Sequence, residues 1–421
     1  MKDQKYFDVR YKFVIGFSLV QILFGFTQNS LIEIIEGLYK IVSLPSTLIT
    51  DYIGLANMGA AFVNSGLVTL ACIFLLIRIK QDLTGPIIAA LFTITGFALF
   101  GKNLLNIWVI LLGTYFYSKY KNEPFNKYIV PALFGTAMSP AISEIIFSNH
   151  FPLFISIPFA IVIGLLLGFI IAPLGASLIN VHKGFNLYNI GFSAGMAGLV
   201  FVSIFRSFGY VPKTQLIWTS GNNQSLGIFL YSLFIIILGI GYFMNEKSIK
   251  NYPNILKHSG QLITDFIQLE GFGVSLINMG ICGILATSYI LLIDGQLNGP
   301  TISGIYTIAG FSLFGKHPRN ILPIFLGVLI GSLLKVFYIN DPGIQLAALF
   351  GTALAPIAGK YGWFWGTVAG FVHSSVVLNV GYLHGGLNLY NNGFAAGLSA
   401  AVLIPIIELI RSGRIPIDKS K

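Results

Sequence analysis

The twenty residues LTGPIIAALFTITGFALFGK at 83–102 return as LNGPTISGIYTIAGFSLFGK at 297–316, with 12 of the 20 positions identical. A chain that repeats itself at such a distance is built from two copies of one unit. Other pairs keep nearly the same spacing. LITD (48–51) recurs at 262–265, Asn64 and Gly66 recur as Asn278 and Gly280, and PALFGTAMSP (131–140) recurs as AALFGTALAP (347–356). GFNLYNIGFSAG (184–195) recurs as GLNLYNNGFAAG (386–397), with 9 of 12 positions identical, at an offset of 202 rather than 214. The second half has therefore lost about a dozen residues just before that peptide. The repeat divides the chain into a first unit at 1–206, a connection at 207–225 and a second unit at 226–421.

The solvent of such a chain is set by its composition. Hydrophobic residues make up 55% of the 421, charged ones only 10%, and the mean hydropathy is +0.80. Soluble domains carry roughly 25% charged residues, so the fold class is an all-α polytopic membrane protein. Its first partner is the lipid bilayer. Each half holds seven apolar segments, near 13–35, 56–77, 85–101, 103–118, 129–148, 152–174 and 184–206, and then 226–244, 270–293, 299–315, 320–338, 344–358, 361–381 and 388–410. The first is predicted as a retained helix over 13–35, since no small-residue cleavage site follows it.

Seven crossings per half would turn the second half upside down, and lysine and arginine test this because they collect on the cytoplasmic side. Arg78 and Lys80 follow the second segment, against Asp294 in the other half; Lys119, Lys121 and Lys127 follow the fourth, against Lys335 and Asp341. The bias reverses after the first segment, where Lys40 with Glu33 and Glu36 stands against Lys247, Lys250 and Lys257. After the third, Lys102 alone stands against Lys316 and Arg319. Both termini are basic, the C-terminal one through Arg411, Arg414, Lys419 and Lys421. This pattern predicts two inverted-topology repeats with both termini cytoplasmic, in the cell membrane. The net charge of +10 is then topology rather than a nucleic-acid surface.

Inverted repeats are a common construction of transport proteins, with the path between the halves and often built from broken helices. The segments starting at Gly85-Pro86 and Gly299-Pro300 are short and glycine-rich, and read as re-entrant half-helices or as ordinary packing helices. PALFGTAMSP and AALFGTALAP read as a second broken pair, in which Thr136 and Thr352 offer hydroxyls beside Phe134 and Phe350. The NLYN peptides place Asn186, Tyr188 and Asn189, and then Asn388, Tyr390 and Asn391, inside apolar sequence, where amides must meet protein, water or solute. An NxxN turn of helix puts both amides on one face. They line a path, or they cap the last helix and bond across the two halves. Lys102, Lys316, His182 and His384, all repeated, are read as vestibule charges, or as helix-end and loop residues. Asp51 and Asp265, a repeated pair of acids before segments, are read as caps of helices at the membrane interface or as carriers of a coupled proton or sodium. Cys72 and Cys282 show no metal-ligand spacing, and no hydrolase, zinc-protease or nucleotide-binding motif occurs. The chain is expected to be neither an enzyme nor a cofactor protein.

The order of LTGP and LNGP, ILLG and IFLG, ALFGTA twice and NLYN twice resembles that of urea transporters, over roughly 83–200 and 297–400, with DPGIQLAALFGTALAPIAG (341–359) the nearest stretch. The asparagine–proline pair of that family is absent from both short helices. The resemblance implies an inverted-repeat protomer with its own passive pore for a small polar solute, and a trimer. It implies pinching rings at Phe97, Phe134, Phe192, Phe311, Phe350 and Phe394 and oxygens at Thr136 and Thr352. The whole chain also resembles an uncharacterised family of microbial polytopic membrane proteins, known as a domain of unknown function. Three functions are open to such a chain: a channel-like or facilitative path for a urea-like solute, an ion- or proton-coupled carrier of a small anion or nucleobase-like solute, and a membrane scaffold that transports nothing.

Overall fold

In the computed structural model, which describes residues 2–412, every long apolar run is helical. The terminal residues Arg414, Lys419 and Lys421 lie outside the described residues. Among the described residues ten helices are long and apolar enough to cross a membrane, five from each half, and they define a multi-pass helical membrane protein. Among the described residues there is no strand, only an isolated bridge between Thr50 and Ile217. The surface matches this solvent. Leu23, Phe154, Val200 and Ile228 point outward, whereas Ser65, Thr69, Asn64 and Asn278 are buried. The hydrophobic segments carry their polar side chains inward, as lipid requires.

One boundary differs from the sequence reading. The predicted helix over 13–35 is two helices, Lys2–Gln28 and Leu31–Ser43. Ser30 stops the first and starts the second: its side chain accepts from the Glu33 amide, and the Glu33 carboxylate accepts from the Ser30 amide at 2.8 Å. Ser30 and Glu33 have the spacing of a capping box, a signal the hydropathy masks.

The residues missing from the second half can also be placed. Helix Leu153–Leu178 has 26 residues and its counterpart Trp363–Val380 has 18. The loop before the first runs from Ser148 to Pro152, and before the second it is Gly362 alone. Shortening the sixth segment thus moves the offset from 216 to 202 and leaves the NLYN peptide and the last helix intact.

The segments starting at Gly85 and Gly299 form helices Gly85–Phe97 and Gly299–Phe311, of 13 residues each. At about 1.5 Å per residue each is about 20 Å long, short of a hydrocarbon core of about 30 Å. They lie against each other in the middle of the molecule. A methyl group on Gly96 would lie 2.6 Å from the Ser303 Cα, and one on Gly310 would lie 3.0 Å from the Ala89 Cα. Gly85 stands by the Leu313 carbonyl and Gly299 by the Leu99 carbonyl, so the start of each helix meets the end of the other. The two equivalent helices run antiparallel, and glycine lets their backbones close up.

Candidate functional site

Both short helices begin with buried amides that need acceptors, and each half supplies one to the other. The Asp265 carboxylate accepts from the Gly85 amide at 3.1 Å, and the Asp51 carboxylate accepts from the Gly299 amide at 3.2 Å. Each aspartate also caps its own half, at Ile53 and Ile267. Pro86 and Pro300 come directly after, in the first turn where a missing N–H costs nothing. The sequence identified these aspartates as caps; that they cap across the halves is visible only in the fold.

The far ends are held by the repeated asparagines. Asn64 Nδ2 donates to the carbonyls of Ala98 and Lys102 at 2.7 and 2.9 Å, and Asn278 Nδ2 donates to those of Ser312 and Lys316, both at 2.7 Å. Fixing these carbonyls turns Lys102 and Lys316 inward. Each ammonium donates to a threonine of the broken helices at 2.7 Å, Lys102 to Thr136 and Lys316 to Thr352. Those threonines occupy short 3-10 turns between Ile129–Gly135 and Ser139–Phe147, and between Pro342–Gly351 and Ala355–Tyr361. Their hydroxyls donate to Leu133 and Leu349 carbonyls, which leaves the oxygens free to accept from lysine. Neither ammonium lies within 4 Å of a carboxylate among the described residues.

The NLYN peptides do not form the helical turn expected of them. Asn189 and Asn391 are the first residues of helices Asn189–Ser207 and Asn391–Ser412, and Asn186 and Asn388 precede those helices. Asn186 Oδ1 accepts from the Tyr188 amide, and its Nδ2 donates to the Gly393 carbonyl of the other half at 3.0 Å. Asn388 does the same with Tyr390 and Gly191. The amide pairs are thus stitches across the two halves. Asn189 Nδ2 donates to the Gly175 carbonyl, so its Oδ1 accepts from His182 Nε2 at 2.9 Å. His384 and Asn391 repeat that bond at 2.9 Å.

Lys102, Lys316, His182 and His384 are all fully buried, and the vestibule assigned to them from the sequence is corrected to interior positions. The physical reason is the tight packing around glycine at both sites: Gly101 lies against Leu389, and Gly198 lies against His384. Hydropathy counts a lysine or histidine as a boundary; it does not see a partner waiting inside.

Between the lysines lies a cluster of six rings, three from each half. Tyr188 and Tyr390 have centroids 5.1 Å apart, Phe97 packs 4.7 Å from Tyr390, and Phe311 packs 4.8 Å from Tyr188. Phe134 sits 5.5 Å from Phe311, and Phe350 sits 5.8 Å from Phe97. Phe192 and Phe394 stack at 6.3 Å outside this group, where the last helices cross.

On one side a cavity of about 340 Å³ reaches the cluster, lined by Val130, Phe134, Asn189, Leu262 and Phe314, with Tyr188 and Tyr390. Its counterpart by the repeat is lined by Leu346, Phe350, Asn391, Leu48 and Phe100, and holds about 50 Å³. Positions that the repeat pairs thus line two very different volumes.

Comparison with known families gives a match. The family described as protein of unknown function (DUF1576) matches residues 30–207 and 244–409. The chain belongs to this family. The matched stretches cover well over half of it, and each starts at or beyond the end of the first helix of its half. No curated protein and no solved structure matches. The DUF1576 assignment carries no substrate, and the likeness to urea transporters rests on the short motifs alone.

Proposed function

We propose that the protein is a membrane transport protein for a small polar solute, with its path between two halves that lie in opposite orientations in the bilayer. The central site is exposed to one side at a time. The observation that carries this reading is the inequality of two equivalent cavities, about 340 Å³ against about 50 Å³, on either side of one ring cluster. A pore that is always open needs a continuous lumen, and here the larger cavity meets four of the six packed rings. Two halves of like structure that exchange their conformations convert one access into the other, which is how inverted repeats serve transport. The antiparallel short helices, capped across the halves by Asp51 and Asp265, support this, because they fix the contact about which such an exchange turns. The charge bias of the loops supports a cytoplasmic position for both termini. A facilitative carrier satisfies all these features without a coupled ion.

Purified protein in liposomes, followed by stopped-flow light scattering, tests the reading with urea, acetamide, glycerol and sodium acetate. At least one solute is expected to equilibrate faster than in protein-free liposomes. Ala172→Trp, which puts a large ring at a buried position in the lining of the larger cavity, is expected to return that rate to the protein-free value. Equal rates for all four solutes with and without inserted protein would refute transport of this class.

A further inference from the structure

Where membrane-spanning helices of the second half end, a separate cavity of about 370 Å³ opens at the surface. Pro342–Tyr361 and Asn391–Ser412 stop beside it, and Trp363–His384 starts beside it. Four exposed basic side chains line it, Lys257, Arg319, Lys360 and Arg411, and no carboxylate does. The buried His317 belongs to the same lining, with its Nε2 donating to the His258 carbonyl at 2.9 Å.

The protein leaves most of these donors open. Lys257 donates to Asn254 Oδ1 at 3.3 Å, Lys360 to Gln261 Oε1 at 3.2 Å and Arg411 to the Tyr361 carbonyl at 3.5 Å, all long bonds to neutral acceptors. Lys360 and Arg411 also rest over the Tyr361 ring, at 5.9 and 5.5 Å. Arg319 makes no hydrogen bond among the described residues. The acids near by are engaged elsewhere: Glu408 is bonded to Lys183 and Glu270 to His258, both at 2.7 Å. An ammonium has three N–H donors and a guanidinium five.

The repeat shows that the fold itself does not require this charge. His317, Arg319, Lys360 and Arg411 correspond to Asn103, Leu105, Glu144 and Gly209. In the first half the connection between the halves reaches the equivalent place, where Glu144 accepts from the Lys213 amide at 3.0 Å. Topology asks only that basic residues collect in the loops of one side. It does not gather them on one cavity, where like charges repel unless an anion sits between them.

We propose that this cavity binds the phosphate of an anionic phospholipid. The site stands apart from the transport reading. A phosphate accepts from several donors at once and pairs with guanidinium groups by two parallel bonds. The position selects a lipid as its carrier. Helix ends mark the depth of the head groups, and basic pockets between membrane helices suit them. Trp363 lines the cavity and Phe364 follows it, 48% and 68% exposed, so an apolar surface for acyl chains adjoins the charge.

Thermal unfolding of the purified, delipidated full chain in detergent is followed by tryptophan fluorescence with three additions: dioleoylphosphatidylglycerol, dioleoylphosphatidylcholine and soluble glycerol 3-phosphate. The phosphatidylglycerol is expected to raise the Tm in a saturable way, the phosphatidylcholine to do so far less, and the soluble phosphate to need a much higher concentration. Arg319→Gln/Arg411→Gln is expected to weaken the apparent Kd for phosphatidylglycerol by about 10-fold to 50-fold, the effect of two basic groups beside a phosphate. Arg319→Gln alone, which breaks no hydrogen bond, is expected to weaken it by a smaller factor and serves if the double variant does not fold. Lys119→Gln/Lys121→Gln removes the same charge from exposed positions outside the cavity and is expected to leave the Kd unchanged. Equal stabilisation by the two lipids, an unchanged Kd in a folded cavity variant, or an equal loss in the control would overturn the site. Glycerol 3-phosphate acting at the same concentration as the lipid would overturn the lipid as the carrier of the phosphate.

Discussion

Asp51→Ala is expected to leave little folded protein. The buried carboxylate accepts from three backbone amides, Ile53 at 3.0 Å, Thr219 at 3.1 Å and Gly299 at 3.2 Å. These belong to its own half, to the connection between halves and to the other half. Alanine orphans all three at once. Each unpaired buried N–H costs about 1–3 kcal/mol, so the total for three is roughly 3–9 kcal/mol, against a typical stability of about 5–15 kcal/mol. Asp51→Asn keeps an acceptor oxygen and is expected to lose less. The measurement is the Tm together with the monodisperse fraction in size-exclusion chromatography. Wild-type values for Asp51→Ala would show that the cross-half caps contribute little.

The second large effect falls on two glycines at equivalent helix crossings. A methyl group on Gly168 would lie 2.1 Å from the Ile110 carbonyl oxygen, and one on Gly327 would lie 2.0 Å from that of Thr367. Backbone cannot yield as a flexible side chain does, so the helices must part. At Gly168 they are also tied by the Thr114 hydroxyl, which donates to the Gly168 carbonyl at 2.7 Å. Overpacking costs about 1–3 kcal/mol for a small intrusion. Gly168→Ala and Gly327→Ala are expected at the upper end of that range, and the valine variants are expected not to fold. Gly239, where an added methyl group would meet nothing within 4 Å, is the control. Gly239→Ala is expected to be neutral or to stabilise by about 0.5–1 kcal/mol through helix propensity. Equal effects at all three positions would mean that propensity, not close approach, governs them.

Much of this arrangement was legible in the sequence, because a repeat aligns residues whose partners it does not name. The offset of 214 paired Asn64 with Asn278 and Lys102 with Lys316, and the fold gives the asparagines the same bonds and each lysine a threonine. The short helices were legible from Gly-Pro starts and run length. The place of the amides was not, since NLYN fits a helical turn as well as the stitch it makes before the helix begins. Nor was the burial of His182 and His384, whose partners stand seven residues away, at Asn189 and Asn391. Reciprocal capping by Asp51 and Asp265 escaped for a deeper reason: it joins residues 248 and 180 positions apart, a distance at which local periodicity says nothing. The inequality of the two cavities is also beyond any repeat, because matched sequences describe what the halves share and not how they differ.

The alternate exposure of the central site is tested most directly by two cysteines at equivalent positions, Val130→Cys in the larger cavity and Leu346→Cys in its closed counterpart. The native Cys72 and Cys282, both buried, are replaced by alanine, and a membrane-impermeant maleimide is applied to each face of the bilayer in turn. In the resting protein the thiol at 130 is expected to react from one face and the thiol at 346 from neither. With a transported solute present, the thiol at 346 is expected to become reactive from the opposite face. Reaction of both thiols at rest, each from its own face and at similar rates, would mean a path open at both ends and would contradict the account.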